Sequence, residues 1–218
     1  MLQLNGVTKR FGDRAVVDSL DLAVPSGAFL AITGPSGSGK TTLLNLMGGL
    51  ERPDAGEVAV DGVPLTAGKS TLRFHRLRAG FLFQNFALME DETVRANLRI
   101  ALAYRSDVTG RDRRDAAMRE ALSQVGLVPD EVLGKRVFQL SGGEQQRVAL
   151  ARLLCKNPSY VFADEPTGNL DPANRDLVID ILRRLNESGR TVVVVTHDPV
   201  VADAPCVTQR LTLDRAAG

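Results

Sequence analysis

Short runs rich in β-branched and aromatic residues recur along the chain, at Leu2–Thr8, Val16–Val24, Phe29–Thr33, Glu57–Val60, Gly80–Phe83, Tyr160–Ala163, Thr191–Thr196 and Val207–Leu213. Stretches of helical spacing separate several of them. The pattern predicts an α/β fold built on a largely parallel central sheet. Thr191–Thr196 reads TVVVVT, apolar on both faces, which places it in the middle of that sheet with helices on each side. After Pro172, a residue suited to a first helical turn, Leu177, Val178, Ile181, Leu182 and Leu185 form one apolar stripe. Between Asn85 and Leu154 the spacing stays helical and no run reads as a strand. That segment, 85–154, is expected to be a helical subdomain inserted into a core made from 1–84 and 155–218.

Length and charge narrow the class. The 218 residues suffice for one sizeable core and are few for two independent domains. Lys and Arg number 27 against 26 Asp and Glu, and a net charge of +1 supplies no field for non-specific attraction to nucleic acid or anionic lipid. No nucleic-acid partner is therefore expected. The longest charge-free stretch, Leu22–Gly39, is broken by four Gly and two Pro, so no membrane span is expected. The opening MLQLNGVTKRFG lacks a cationic segment followed by an apolar one, so no secretory signal is expected either. Cys155 and Cys206 are too few for a disulfide framework and read as small core residues. Arg111–Glu120 mixes four Arg with two Asp and one Glu and reads as a solvated helix face.

The first chemical signal is Gly34-Pro35-Ser36-Gly37-Ser38-Gly39-Lys40-Thr41, a full G-x-x-x-x-G-K-[ST] phosphate loop. It follows the apolar run Phe29–Thr33 and precedes the apolar-periodic run Thr42–Leu50, the strand-loop-helix context such a loop requires. Glycines let consecutive backbone N–H groups point inward, and a helix beginning near Lys40 adds its positive dipole end. Lys40 is expected to bridge the β- and γ-phosphates and the Thr41 hydroxyl to ligate Mg²⁺, with Thr42 directly behind. The motif means nucleotide binding. By itself it does not separate kinase, G protein, helicase or transport ATPase.

The second signal is Tyr160–Ala163 followed by Asp164-Glu165. A carboxylate at the carboxyl end of a strand beside a phosphate loop can hold Mg²⁺, which suits Asp164. Glu165 would then face the γ-phosphate as general base toward water. An isolated Asp-Glu pair is usually a solvated turn, and an isolated histidine after a buried strand is usually structural. Here Val195-Thr196-His197-Asp198 ends a second strand equivalently, so His197 is expected to bond the γ-phosphate and position water.

The third signal is Leu140-Ser141-Gly142-Gly143-Glu144-Gln145-Gln146-Arg147. Locally, Ser141 and Glu144 form a capping box for an amphipathic helix. That does not account for two glycines in the first turn, each costing about 1 kcal/mol relative to Ala. Such glycines permit close backbone approach, and a helix N-terminus with a serine hydroxyl is an anion site. The segment resembles the signature motif of ABC-type ATPases, usually LSGGQ, with Glu144 a frequent variant.

The resemblance extends along essentially the whole chain. Gln84 matches the Q-loop glutamine, which in the family reaches Mg²⁺ and the attacking water. Gly168-Asn169-Leu170-Asp171 matches the D-loop, with Asp171 crossing a dimer interface, and His197 matches the switch histidine. Phe11 falls where the family usually stacks a Tyr on adenine, and phenylalanine keeps the π-face. The resemblance implies the ABC-type P-loop fold, with an antiparallel β part beside the mostly parallel sheet and an inserted helical subdomain. It also implies a head-to-tail homodimer with two ATP sandwiched between chains. Each site then takes its phosphate loop, Asp164, Glu165 and His197 from one chain and Ser141 and Gly143 from the other.

The family's usual partner is an integral membrane permease. With no span of its own, this chain is expected to be a separate ATPase subunit, cytoplasmic and peripheral on the inner face of the cell membrane. Asp164-Glu165-Pro166-Thr167-Gly168-Asn169-Leu170-Asp171 resembles the subgroup serving macrolide export, lipoprotein release, antimicrobial-peptide resistance and cell division. With the last strand-like run ending near Leu213, a regulatory C-terminal domain of the kind many importers carry is not expected. Phe83–Val94 resembles ATPases of lactococcin-type bacteriocin export. The resemblance thus implies export of a peptide, lipoprotein or drug-like substrate. The alternatives are a cell-division-type ATPase that performs mechanical work and a soluble ABC ATPase outside transport.

Overall fold

The structure, a computed structural model, describes residues 1–65, 68–168 and 170–214. Its strands are β1 (Leu2–Phe11), β2 (Arg14–Val24), β3 (Phe29–Thr33), β4 (Ala55–Val60), β5 (Val63–Pro64), β6 (Ala79–Leu82), β7 (Tyr160–Asp164), β8 (Thr191–Val195) and β9 (Gln209–Thr212). The helices are α1 (Lys40–Met47), α2 (Lys69–Leu77), α3 (Val94–Ala101), α4 (Arg111–Gln124), α5 (Pro129–Val132), α6 (Gly142–Lys156), α7 (Pro172–Glu187) and α8 (Pro199–Ala202).

Two sheets result. The parallel one has the order β6-β7-β8-β3-β9, and the antiparallel one the order β2-β1-β4-β5. β8 is central and buried at every position, as its doubly apolar pattern requires. Strand alternation divides the core in two. Val193 and Val195 join Leu30, Ile32 and Phe162 beneath α1 and the antiparallel sheet. Val192 and Val194 join Val161, Ala163 and the α7 stripe Val178, Ile181 and Leu182 on the other face. Leu98 of α3, Leu122 of α4 and Val148 of α6 belong to this second cluster, so the helical segment packs continuously onto one face of the sheet.

Three features depart from the sequence pattern. α2 was not legible, because only Phe74 of its residues is buried and its start at Gly68 has no capping side chain. α6 runs on to Lys156, beyond the expected change at 154, because its apolar face continues through Leu153 and Cys155. Within the expected strand-free segment, Thr93 and Arg136 form an isolated antiparallel bridge. α4 carries Arg111–Glu120 as an exposed face, where Asp115 pairs with Arg95 and Arg119. Both cysteines are free, and burial pushes the Cys155 thiol up to about 12. Among the described residues no helix is long and apolar enough to cross a membrane.

Candidate functional site

Because β6, β7, β8 and β3 are parallel neighbours, their carboxyl ends lie side by side along one edge of the sheet. Each end delivers an expected site residue: Gln84 beyond β6, Asp164 and Glu165 at β7, His197 beyond β8, and the phosphate loop after β3. Phe11 from the end of β1 closes the cleft from the antiparallel sheet, 54% exposed and with Lys9 Nζ 5.7 Å from its ring centre. Phe11, Gly34, Pro35, Ser36, Gly37, Gly39, Lys40, Thr41, Thr42, Gln84, Glu165 and His197 line one common cleft.

The loop's shape depends on glycine at two points. A Cβ on Gly34, at φ 145°, would strike the Leu213 carbonyl, and one on Gly39, at φ 92°, would strike the Val16 side chain. α1 starts from Gly39 with neither a capping side chain nor an acidic residue in its first turn, so its positive end is left for an anion. Lys40 is buried, and its Nζ donates to the carbonyls of Gly34 and Pro35 at 2.8 Å each, which holds the ammonium against the loop. Ser38 is buried beneath the loop with an Oγ that has no protein partner. A polyanion supplies what this set lacks.

Thr41 Oγ1 donates to Asp164 Oδ1 at 3.1 Å, so hydroxyl and carboxylate already adjoin. Burial raises the Asp164 pKa and the neighbouring Glu165 raises it further, while the Thr41 hydrogen bond and Lys40 pull it down. A divalent cation there would offset the cost of that buried charge. Glu165 has left-handed backbone, φ 46°, a conformation that costs a non-glycine residue about 1–2 kcal/mol. Its N–H donates to the Val195 carbonyl at 2.9 Å, which ties the turn after β7 to the end of β8. Its Oε2 lies 2.9 Å from His197 Nδ1, with Glu165 mostly buried and His197 73% exposed.

Ser141, Gly143 and Asp171 are not among the residues lining this cleft. Ser141 caps α6 and forms the expected capping box with Glu144, whose carboxyl is held below its usual range by the Ser141 N–H. A Cβ on Gly142 would meet nothing within 4 Å, and one on Gly143 only Asn174 Nδ2 at 3.4 Å. Asp171 caps α7, accepting from the Asn174 N–H at 3.0 Å. Asn169, part of the D-loop resemblance, lies outside the described residues.

Two residues escaped the sequence reading. Gln146 is buried on α6 and donates through Nε2 to the Pro166 carbonyl at 2.8 Å, directly behind Glu165, while its Oε1 has no partner. Arg152, also on α6, donates to the carbonyls of Phe86 at 2.8 Å and Ala87 at 2.6 Å. Both stand next to recognised motifs, but a glutamine and an arginine on an amphipathic helix carry no pattern of their own.

The fold and the cleft define a P-loop nucleotide hydrolase with a helical segment inserted between two strands of its parallel sheet. The chain belongs to the ABC transporter family, whose profile matches residues 17–168. It is 42% identical over 210 residues to the macrolide export ATP-binding/permease protein MacB 1/2 of Paracoccus denitrificans, an alignment covering 93% of this chain and 30% of that one. It is 40% identical over 208 residues to the lipoprotein-releasing system ATP-binding protein LolD of Bacteroides thetaiotaomicron, covering 93% of this chain and 92% of LolD. The chain thus spans less than a third of the macrolide-export relative and nearly all of LolD. The dimeric structure of the ABC transporter cassette MJ0796 superposes with a TM-score of 0.87 at 36% identity, covering 99% of this chain and 95% of that one. A post-hydrolysis state of the same cassette bound to ADP and Pi gives 0.87 at 35% identity. This chain is accordingly an ATP-binding and ATP-hydrolysing cassette of the ABC type.

Proposed function

We propose that the chain is the ATPase subunit of an export complex, working as a head-to-tail homodimer beneath a separate membrane permease. It would act in the cytoplasm, on the inner face of the cell membrane, and move a peptide, lipoprotein or drug-like substrate. In this reading 85–154 is the helical subdomain and 1–84 with 155–218 the core. Phe11 stacks on adenine, the loop from Gly34 to Thr42 holds the phosphates, and Asp171 reaches across the dimer. Thr41, Asp164 and Gln84 offer the hard oxygen donors that suit Mg²⁺, which would neutralise phosphate charge. Glu165 takes the proton of the attacking water, and His197 orients Glu165 and the γ-phosphate.

The observation that carries the dimer is the uncrowded glycine in the first turn of α6. Among the described residues nothing crowds a Cβ at position 142, so glycine there fits a ligand or second chain that approaches from outside. A mixing experiment tests it. Lys40→Ala and Ser141→Arg chains should each be inactive alone, and their mixture should regain activity, because one site of the mixed dimer combines two intact halves. If the mixture stays inactive, the shared-site arrangement is wrong. The subgroup motif from Asp164 to Asp171 supports export, as does the similarity to the macrolide export protein MacB and to LolD of a lipoprotein-releasing system. Substrate accumulation in cells lacking the permease separates export from mechanical coupling.

A further inference from the structure

A net charge of +1 conceals a local excess: from Gly62 to Met89 the sequence carries Lys69, Arg73, Arg76 and Arg78 and no Asp or Glu. Arg78 is paired with Asp61. The other three cations lie on α2, a helix that buries only Phe74.

Around α2, at about 3.6 residues per turn, its exposed side chains fall in the order Leu72, Arg76, Lys69, Arg73, Leu77. Three cations thus form a stripe bordered by a leucine on each side. Leu72 is 46% and Leu77 49% exposed. Among the described residues these cations have no acidic partner, and Arg76 meets only the Tyr104 ring, 5.1 Å from its centre. A single exposed leucine is ordinary. Two that frame an unpaired cationic stripe make the pattern of a helix lying in a headgroup layer, its cations at phosphate level and its leucines toward the acyl boundary. A nucleic acid would use the cations and leave both leucines in water. The inner leaflet of a cell membrane matches both halves, with anionic headgroups over an apolar layer.

We propose that α2 lies against anionic phospholipid headgroups of the inner leaflet, with Lys69, Arg73 and Arg76 on the lipid phosphates and Leu72 and Leu77 among the upper acyl carbons. This rests on the reading that the chain works on the inner face of the membrane, and it adds a contact made with the lipid itself. The contact would also orient the cassette. α2 ends at Leu77 and β6 begins at Ala79, so the helix is rigidly continued by the strand that leads to Gln84. His75 Nε2 donates to the Gly48 carbonyl at 2.8 Å, which ties α2 to the end of α1, the helix behind the phosphate loop.

The test sediments the purified full chain with vesicles of phosphatidylcholine alone and of phosphatidylcholine mixed with phosphatidylglycerol, at low and at high salt. Binding is expected to the mixed vesicles only, with release by salt. Each cation at such a surface is worth about five-fold in partitioning, so Lys69→Gln, Arg73→Gln and Arg76→Gln together should weaken binding about a hundred-fold. Because Arg76 also packs on Tyr104, Lys69→Gln with Arg73→Gln is measured too, and should still lose more than ten-fold with basal ATP hydrolysis and melting unchanged. Leu72→Ser with Leu77→Ser should weaken binding as well. Equal binding to both vesicles, no binding to either, or cation variants that bind like the parent would overturn the inference. So would a leucine variant that binds like the parent, since cations alone would serve any polyanion. Fractionation of producing cells separates the two readings. If vesicle binding fails while the chain still sediments with cell membranes, the permease reading stands without the lipid contact, and a chain found only in the soluble fraction overturns both.

Discussion

His197 Nδ1 lies 2.9 Å from Glu165 Oε2, and the backbone N–H of His197 donates to that same oxygen at 3.3 Å. Two contacts from the end of β8 therefore set the orientation of a carboxylate at the end of β7. In the proposed reading Glu165→Gln removes the general base and leaves the loop that would grip phosphate. Hydrolysis should fall by about 10²–10⁴, the usual worth of general base catalysis, with ATP binding retained. Phosphate release and size-exclusion chromatography at saturating ATP check it, with a stable ATP-bound dimer expected. Hydrolysis at the parent rate would remove Glu165 from the role.

His197→Ala should lower kcat and leave nucleotide affinity within a few-fold, because in the proposed reading His197 acts only on the orientation of Glu165 and on the terminal phosphate. Its side chain is 73% exposed, so the melting midpoint should stay put. Steady-state kinetics beside fluorescent-nucleotide titration separates the two quantities. A loss confined to binding would contradict this.

Asp164 makes stability depend on pH. Burial raises its pKa above the ordinary 3.8, so the folded state holds the proton more tightly than the unfolded one. The stability this group contributes is full below 3.8 and is lost as pH rises through the elevated folded value. Asp164→Asn should therefore melt higher than the parent at neutral pH without nucleotide, and the gap should close in acid. Calorimetry across that range reads the sign. The same variant should lose metal-dependent hydrolysis.

Gln146→Leu cuts the bond to Pro166 and leaves that carbonyl unpaired in a buried setting. A cost of about 1–3 kcal/mol follows. The turn that holds Glu165 at positive φ should relax, lowering kcat with KM nearly unchanged. A stability loss without a kcat change would make Gln146 a packing residue alone.

Gly39→Ala meets both a forbidden backbone and the Val16 side chain. The backbone alone costs about 1–2 kcal/mol, and relief would require the loop to open. ATP binding should be lost to within detection in an equilibrium titration, with circular dichroism still showing a folded chain.

Much of the candidate site was legible because its parts are local. A phosphate loop is a few consecutive residues between a strand and a helix, and a carboxylate after an apolar run announces itself. The strands of the parallel sheet were legible for the same reason, each being a short apolar run. α2 was not, since a nine-residue helix burying only Phe74 leaves almost no stripe to read. Gln146 and Arg152 were not, since their meaning lies in carbonyls 20 and 65 or 66 positions away in the chain.

The sequence by itself determined the nucleotide chemistry, the family and the α/β class, because spacing, glycine placement and strand alternation act over a few residues. Tertiary structure decided the rest. The order β6-β7-β8-β3 brought Gln84, Glu165, His197 and Lys40 to one edge, and the turn at Glu165 put its carboxylate on His197. It also gathered Arg76, Arg152 and Lys156 around one hollow. Such meetings depend on which strands pair and how a helix lies across them, and no local pattern encodes that.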